Sequence, residues 1–442
     1  MTTKKPTHLR IYDDKSEYHS DGAAVQIFDE GKSSLAAIKR MSEIKAALEN
    51  GFLVNLITKT ATGESLPDME KIDDNSTLAI CDLVESLTSE AGRALIGISV
   101  MQLCIKAISP EQDIRLHKSG RAKNSFSWTE GVSMRSLDKP YVTPVLRQFN
   151  LLKLNADGFM MTRSLAENYP YTHLYKAQLR GARQSWLTLV NQIESDQTDP
   201  KESLTFLLLK LCNAAENFEK AASALLLIHR LKLQQLNARD RVKKIIKEHI
   251  ESSDYAARLL EICMHSLAQA LIETGTLDTY ELTPLTQMRS ANKKHKNIGD
   301  IEFLENNLIT ESWDAKYGKG YLREEIEEVA EKIADHEALE TAGFVTTVSV
   351  ERTEEISKRI EEIEALHDIE LVIISIDDWV DLMYERALNT NVTTEDELSR
   401  KWVAVYTEYL CQKRRHQAPI DEPCLSWVTA LTSIFSNVVD DI

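Results

Sequence analysis

The sequence is short of the features that mark several large protein classes. Its six cysteines, Cys81, Cys104, Cys212, Cys263, Cys411 and Cys424, form no C-x-x-C pair. A zinc site or redox dithiol is therefore unsupported, and thiols set in apolar helical patterns read as buried and reduced. No G-x-x-x-x-G-K-[ST] and no G-x-G-x-x-G occurs, which leaves nucleotide-driven chemistry without a motif. The apolar runs at 224–228 and 371–374 are far shorter than the ~18 residues a bilayer span needs, so no membrane is expected. The opening Met1-Thr2-Thr3-Lys4-Lys5-Pro6 leads into polar sequence without an apolar core, so no secretory signal is read and a cytoplasmic, prokaryotic setting is expected.

What is present begins with acid. The 442 residues carry 52 Lys+Arg against 69 Asp+Glu, a net charge of −17, and 43% hydrophobic residues. That hydrophobic share is ordinary for folded domains. The charge is segregated. Between Arg115 and Arg183 twelve basic residues face four acidic ones, and the rest of the chain carries −25. A local excess of eight positive charges is a candidate polyanion site. Arg121, Lys123, Arg135 and Arg147 are the candidate DNA contacts. His117 and His173 are weaker candidates for phosphate, and Trp128 and Trp186 for base stacking, with a core role as the alternative.

Periodicity divides the chain into a loose lead-in (1–35), a helical region with a winged-helix-like unit (36–200), a helical packing region (201–252), a mixed core (253–390) and a helical extension (391–442). The winged-helix reading rests on a helix at 140–152, with Pro144 tolerable only in its first turn, followed by a hairpin at 152–162 around Asn155-Ala156-Asp157-Gly158. In the core, strands are expected at 299–304, 308–316, 343–350 and 369–376. Helices are expected at 321–336 and 353–367. The fold class is α+β, predominantly helical, with a mixed sheet covered by helices.

The chemistry concentrates on the hairpin 299–316. A turn at Glu305-Asn306-Asn307 pairs Leu304 with Leu308 and sets Asp314 opposite Ile298. Alternation then puts Asp300, Asp314 and Lys316 on one face, with the two acids as diagonal neighbours. Such carboxylates can converge on a hard cation, and Mg²⁺ prefers oxygen ligands. Lys316, depressed by burial or placed as a charge beside phosphate, can deprotonate or orient a water. Glu302 shares the strand face, while Trp313 points to the other. The tripeptide [DE]-x-K alone is common, and also occurs at Asp13–Lys15, Glu30–Lys32, Glu43–Lys45 and Asp199–Lys201. Only Asp314-Ala315-Lys316 falls on an expected strand paired with a Gly-Asp.

Gly299-Asp300 and Asp314-Ala315-Lys316, with their flanking elements over about 255–390, resemble the PD-(D/E)XK nuclease superfamily. The superfamily's common core is α-β-β-β-α-β. Gly299 stands where its motif has proline, and the helix at 321–336 precedes the third expected strand, departing from the common order. The resemblance implies a restriction-endonuclease-like core and a Mg²⁺ site of Asp300 and Asp314 assisted by the Ala315 carbonyl. It makes Lys316 the water-activating residue, with a Glu from the preceding helix: Glu261, with Glu273 behind it. Ser127-Trp128-Thr129-Glu130-Gly131, residues 154–162 and Glu311–Lys316 further resemble SacI-type type II restriction endonucleases. That resemblance implies site-specific hydrolysis of double-stranded DNA, a homodimer and a cognate DNA methyltransferase. A modification-dependent nuclease, a DNA-binding regulator without Mg²⁺ and a protein scaffold built on the helices at 202–275 are the alternatives.

Overall fold

The computed structural model describes residues 6–20, 24–118, 128–154, 156–161, 165, 169–176, 179–285 and 297–437. It is α+β and predominantly helical, as expected. The chain divides into two compact units, 1–218 with 418–422, and 219–417 with 423–442.

The first unit opens with a sheet where a loose lead-in was expected. Strands β1 (His8–Ile11), β2 (Lys15–His19) and β3 (Gln26–Asp29) pair antiparallel in that order. Tyr18 and Phe28 are buried against Leu116 and Trp128, and the remaining positions are largely polar or exposed. A sheet with so small an apolar face leaves little hydrophobic signal in its sequence. Helices α1 (Leu35–Glu49), α2 (Phe52–Ala61), α3 (Asp74–Glu85) and α4 (Glu90–Ile108) follow. Ser34, Asp73 and Ser89 accept first-turn N–H bonds at α1, α3 and α4, which fixes where those helices begin. Among the described residues α4 alone has the length and apolarity to cross a membrane. Fifteen of its 19 residues are buried in this unit, and a helix surrounded by protein is apolar all round.

Two short helices come next, α5 (Met134–Leu137) and α6 (Thr143–Gln148), with Pro144 in the first turn of α6. The hairpin expected at 152–162 does not form among its described residues. Phe159–Met161 makes a single 3₁₀ turn instead. Buried carboxylates take the backbone groups a ladder would have used. Asp138 accepts the Met160 N–H at 2.8 Å, and Asp421 accepts those of Lys153 and Leu154 at 2.8 and 2.9 Å. Leu151, Leu152, Leu154 and Phe159 are buried, so both apolar runs serve the core and the described residues form no wing. Helix α7 (Arg183–Glu194) completes this region, and α8 (Pro200–Lys232) runs through the division at 218.

The second unit contains α9 (Arg239–Glu251), α10 (Ala256–Glu273), β4 (Glu281–Leu282), β5 (Ile301–Glu305), β6 (Leu308–Lys316), α11 (Arg323–Ile333), β7 (Thr341–Thr346), α12 (Glu354–His367), β8 (Glu370–Ser375), α13 (Ile376–Asn389), α14 (Glu395–Glu408), α15 (Arg414–Gln417) and α16 (Cys424–Asn437). The five strands stand in the order β4-β5-β6-β7-β8. The first three are antiparallel. β6, β7 and β8 are parallel, with α11 and α12 as crossovers. On one face Ala342, Phe344, Leu371 and Ile373 pack with Ile326 and Val329 of α11 and Ile356 and Ile363 of α12. On the other, Trp313 meets Trp379 of α13, ring centroids 6.1 Å apart. Position 343 must be glycine there, because a Cβ would stand 2.2 Å from the Trp313 ring. At the outer edge β8 is closed by side chains. Arg352 donates to the Ile373 carbonyl and Glu364 accepts the Leu371 N–H, both at 2.9 Å.

Candidate active site

The hairpin β5–β6 carries the candidate residues, and its register decides which of them meet. Asn306 and Asn307 both take positive φ, 52° and 65°, and Glu305 pairs with Leu308. The turn therefore has two residues of type I′ character, where three were expected. A bulge between Phe303 and Leu304 shifts the ladder again, so Ile301 lies across from Trp313. The expected pairing of Asp314 with Ile298 is thereby corrected. Just before Ile301 the Asp300 N–H donates to the Trp313 carbonyl at 3.0 Å, and the Asp300 carboxyl comes within hydrogen-bonding reach of that of Asp314. The bulge moves β5 by one further residue along β6 relative to the expected register. Gly299 fits this approach, since a Cβ there would stand 2.7 Å from both Ser312 Oγ and the Trp313 carbonyl oxygen. Proline at this position, as in the motif, would meet the same wall.

Asp300 reaches solvent, yet protein atoms crowd its carboxyl and strip much of its hydration. With Asp314 and then Glu261 adding like charge, the Asp300 carboxyl rises well above the usual carboxylate range. The Ala315 N–H donates to Asp300 Oδ2 at 3.0 Å and offsets part of this. Lys316 Nζ lies 2.6 Å from Asp314 Oδ2 and 6.0 Å from the centre of the Phe344 ring. Burial opposes the lysine's charge, but Asp314, Asp300 and Glu325 outweigh it and hold the ammonium above its ordinary value. Depression of Lys316 by burial, one of the two expected states, is therefore overturned for the protein alone. The lysine is a fixed cation.

Of the two upstream glutamates, Glu261 on α10 is the one whose charge reaches Asp300; it is ion-paired with Arg258. Glu273 is occupied elsewhere, by Lys401 at 2.6 Å and Gln269 at 2.9 Å. Glu302 is buried and structural. It accepts from the Ile298 N–H at 2.7 Å and Thr283 Oγ1 at 2.9 Å, tying the approach to Asp300 to the end of β4.

The donor set at this hairpin is two carboxylates and the adjacent Ala315 carbonyl, all hard oxygens, and like-charge crowding of this kind is relieved by a bound cation. These residues fit Mg²⁺ as partial ligands. Among the described residues no group of three His, Cys, Asp or Glu side chains is placed to hold a metal, so other oxygens have to complete the shell.

The basic segment is ordered differently. Arg121 and Lys123 lie outside the described residues. Arg135 is exposed and donates to the Met160 carbonyl at 3.0 Å. Arg147 is half-buried, with Nη1 buried and unpartnered. Arg115 pairs with Asp113 at 2.7 Å and lies over Phe28. His117 is buried, accepts the Met134 N–H and is driven down to about 4 by desolvation, then by Arg135, so it is a neutral core residue. His173 is half-buried, 3.0 Å from the Gln184 amide. Trp128 and Trp186 are core residues, the latter donating to Gln102 at 2.8 Å. Comparison of the chain with family models and with curated proteins finds no match to either.

Proposed function

We propose that this chain is a Mg²⁺-dependent endonuclease of the PD-(D/E)XK type that cuts double-stranded DNA at specific sites, a type II restriction endonuclease acting as a homodimer. The observation that carries the reading is the crowding of Asp300 against Asp314 on paired strands, with Lys316 held beside them. Counted from α10, the elements run α10-β4-β5-β6-α11-β7, which is the α-β-β-β-α-β order of the superfamily. The two-residue β4 supplies the strand whose absence made the order seem to depart.

Asp300, Asp314 and the Ala315 carbonyl would hold Mg²⁺, which when bound supplies positive charge for the scissile phosphate and a water of lowered pKa. Lys316, kept protonated by its acidic neighbours, attracts the phosphate and orients the water by donating a hydrogen bond. Arg258 holds Glu261 in place, and Glu261 adds negative charge beside Asp300. Glu302 fixes the approach to Asp300 through the Ile298 N–H. The basic stretch from Arg115 to Arg183 supplies non-specific attraction to the duplex, with Arg121, Lys123, Arg135 and Arg147 as proposed contacts. A homodimer matches the two-fold symmetry of a palindromic site.

The test is incubation of the purified chain with unmodified phage DNA and Mg²⁺. Discrete fragments, lost when a cognate methyltransferase has modified the DNA, are expected. A smear would replace site-specific with non-specific cleavage, and cutting of modified DNA alone would favour the modification-dependent alternative. DNA left intact in both states would overturn the nuclease reading.

A further inference from the structure

A cavity of 490 Å³ opens beside the candidate site, within the second unit. It lies where β6, β7 and β8 end, at Tyr317, Thr346 and Ser375, and C-terminal strand ends are where open sheets with helical crossovers collect ligands. Thr346 is the register partner of Lys316, so the cavity begins one residue from the catalytic lysine.

Its lining indicates the chemistry it accepts. Ile246, Leu260, Val380 and Trp402 give it an apolar wall. The charged groups at its margin neutralise one another. Asp377 lies 3.7 Å from Lys243 and 3.3 Å from Lys247, and Lys243 also meets Asp381 at 3.1 Å. Glu251 adds a further negative charge. Cations already paired in this way offer little to a phosphate. The hydroxyls of Thr347 and Ser349 add both donors and acceptors. An apolar wall, lysines already paired with carboxylates and mixed hydrogen-bonding groups suit an uncharged heterocycle, and the volume lies within the range of about 300–1,000 Å³ typical of small-molecule sites.

We propose that this cavity receives one nucleobase, swung out of the duplex next to the cut position. The inference rests on the nuclease reading, because it takes the neighbouring chemistry to act on DNA. A base inside a stacked duplex cannot enter a cavity; extrusion by rotation about the backbone is the route by which proteins bring one in. Free nucleosides share this chemistry and are the other possible source.

The experiment uses full-length Asp314→Ala protein, which should bind DNA without cutting it. Duplexes spanning a mapped cut carry 2-aminopurine at successive positions, whose fluorescence rises when the base leaves the stack. A several-fold rise at one position is expected, abolished by adding Val348→Trp. Val348 lines the cavity and is 43% exposed, so a larger side chain covers the opening without repacking the core, and an unchanged melting midpoint checks this. In parallel, the four free nucleosides are added to wild-type protein and followed by ligand-observed NMR. Flat fluorescence at every position, in a protein whose wild type cuts DNA, would overturn the inference and leave the nuclease reading standing. A rise untouched by Val348→Trp would overturn the cavity as the base's destination. Nucleosides that bind to a wild type that neither binds nor cuts DNA would make this a free-nucleoside site, against both readings.

Discussion

The basic segment 115–183 and the hairpin 299–316 are both rich in charge, but they handle it in opposite ways. In the first, several charges are absorbed by the fold. Arg115 takes Asp113, Lys118 takes Ser33 at 2.5 Å, and buried Asp138 takes Thr143 and the Met160 N–H. In the second, Asp300 and Asp314 are pushed together and Glu261 makes the crowding worse. A satisfied charge is explained by the protein alone. A crowded one is a cost in stability that a purely structural role does not justify, and such conflict is the physical mark of a site awaiting a ligand.

The sharpest way to break this contrast is Asp314→Ala or Lys316→Ala. Either should lower cleavage by about 10³-fold while a filter-retention assay still shows DNA bound. Near wild-type cutting by either variant would remove the hairpin from the chemistry. Gly343→Ala comes next. It drives a methyl group into the Trp313 ring and should destabilise the second unit by about 3 kcal/mol. Hydrogen-exchange mass spectrometry should find that loss in the peptides of 297–389 and not in those of 35–108; an even loss would mean that the two units do not respond separately.

Acidification should then separate the units further. In the second, His229, His249 and His265 are each held down to about 4, first by burial. A histidine depressed from its ordinary 6.5 stabilises the fold fully above that pH and loses its contribution as pH falls from 6.5 towards 4, up to about 3 kcal/mol each. Asp300, raised, works against this within the same unit. The first unit has one histidine held that far down, His117, with His173 lowered by burial as well. Its Asp138, Glu194 and Asp421 are raised by burial, Asp421 to about 6, and carboxyls raised in this way gain stability as pH falls. Exchange protection should therefore be lost first in the second unit between pH 6.5 and 4, and the reverse order would contradict the assigned charge states. The smallest effect is expected from Arg121→Ala with Lys123→Ala. The pair should weaken DNA binding and reduce the salt-dependence slope by about 2, whereas Arg115→Ala should lower the melting midpoint instead. An unchanged slope would withdraw both contacts.

Much of the second unit was legible because its signals are local. Alternation over 308–316 and the apolar stripe Ile326, Val329, Ile333 identify strand and helix without reference to the rest of the chain. The site's residue types were legible too, but not their register, because a two-residue Asn306-Asn307 turn and one bulge depend on the backbone rather than on any side chain's hydrophobicity. β4 was illegible at two residues long. The first unit misled where a good turn signal met a stronger tertiary demand. The Asp157-Gly158 corner is real, with Gly158 at a φ of 108°, but Asp138 and Asp421 take up backbone N–H groups from the segments on either side of it. Those partners are 19 and 264 residues from Asp157 in sequence, and no window read along the chain contains both.

The closed edge of β8 also limits how two copies can associate. A strand docking there would need the Ile373 carbonyl and the Leu371 N–H, and Arg352 and Glu364 already occupy them. The sheet is finite on that side, shielded from the runaway strand addition that leads to fibres. A symmetric pair of these molecules is therefore not built by laying β8 against β8. In such a pair the 4.7–4.9 Å repeat of strands adjoining at β8 would not set the spacing of two cuts on a duplex.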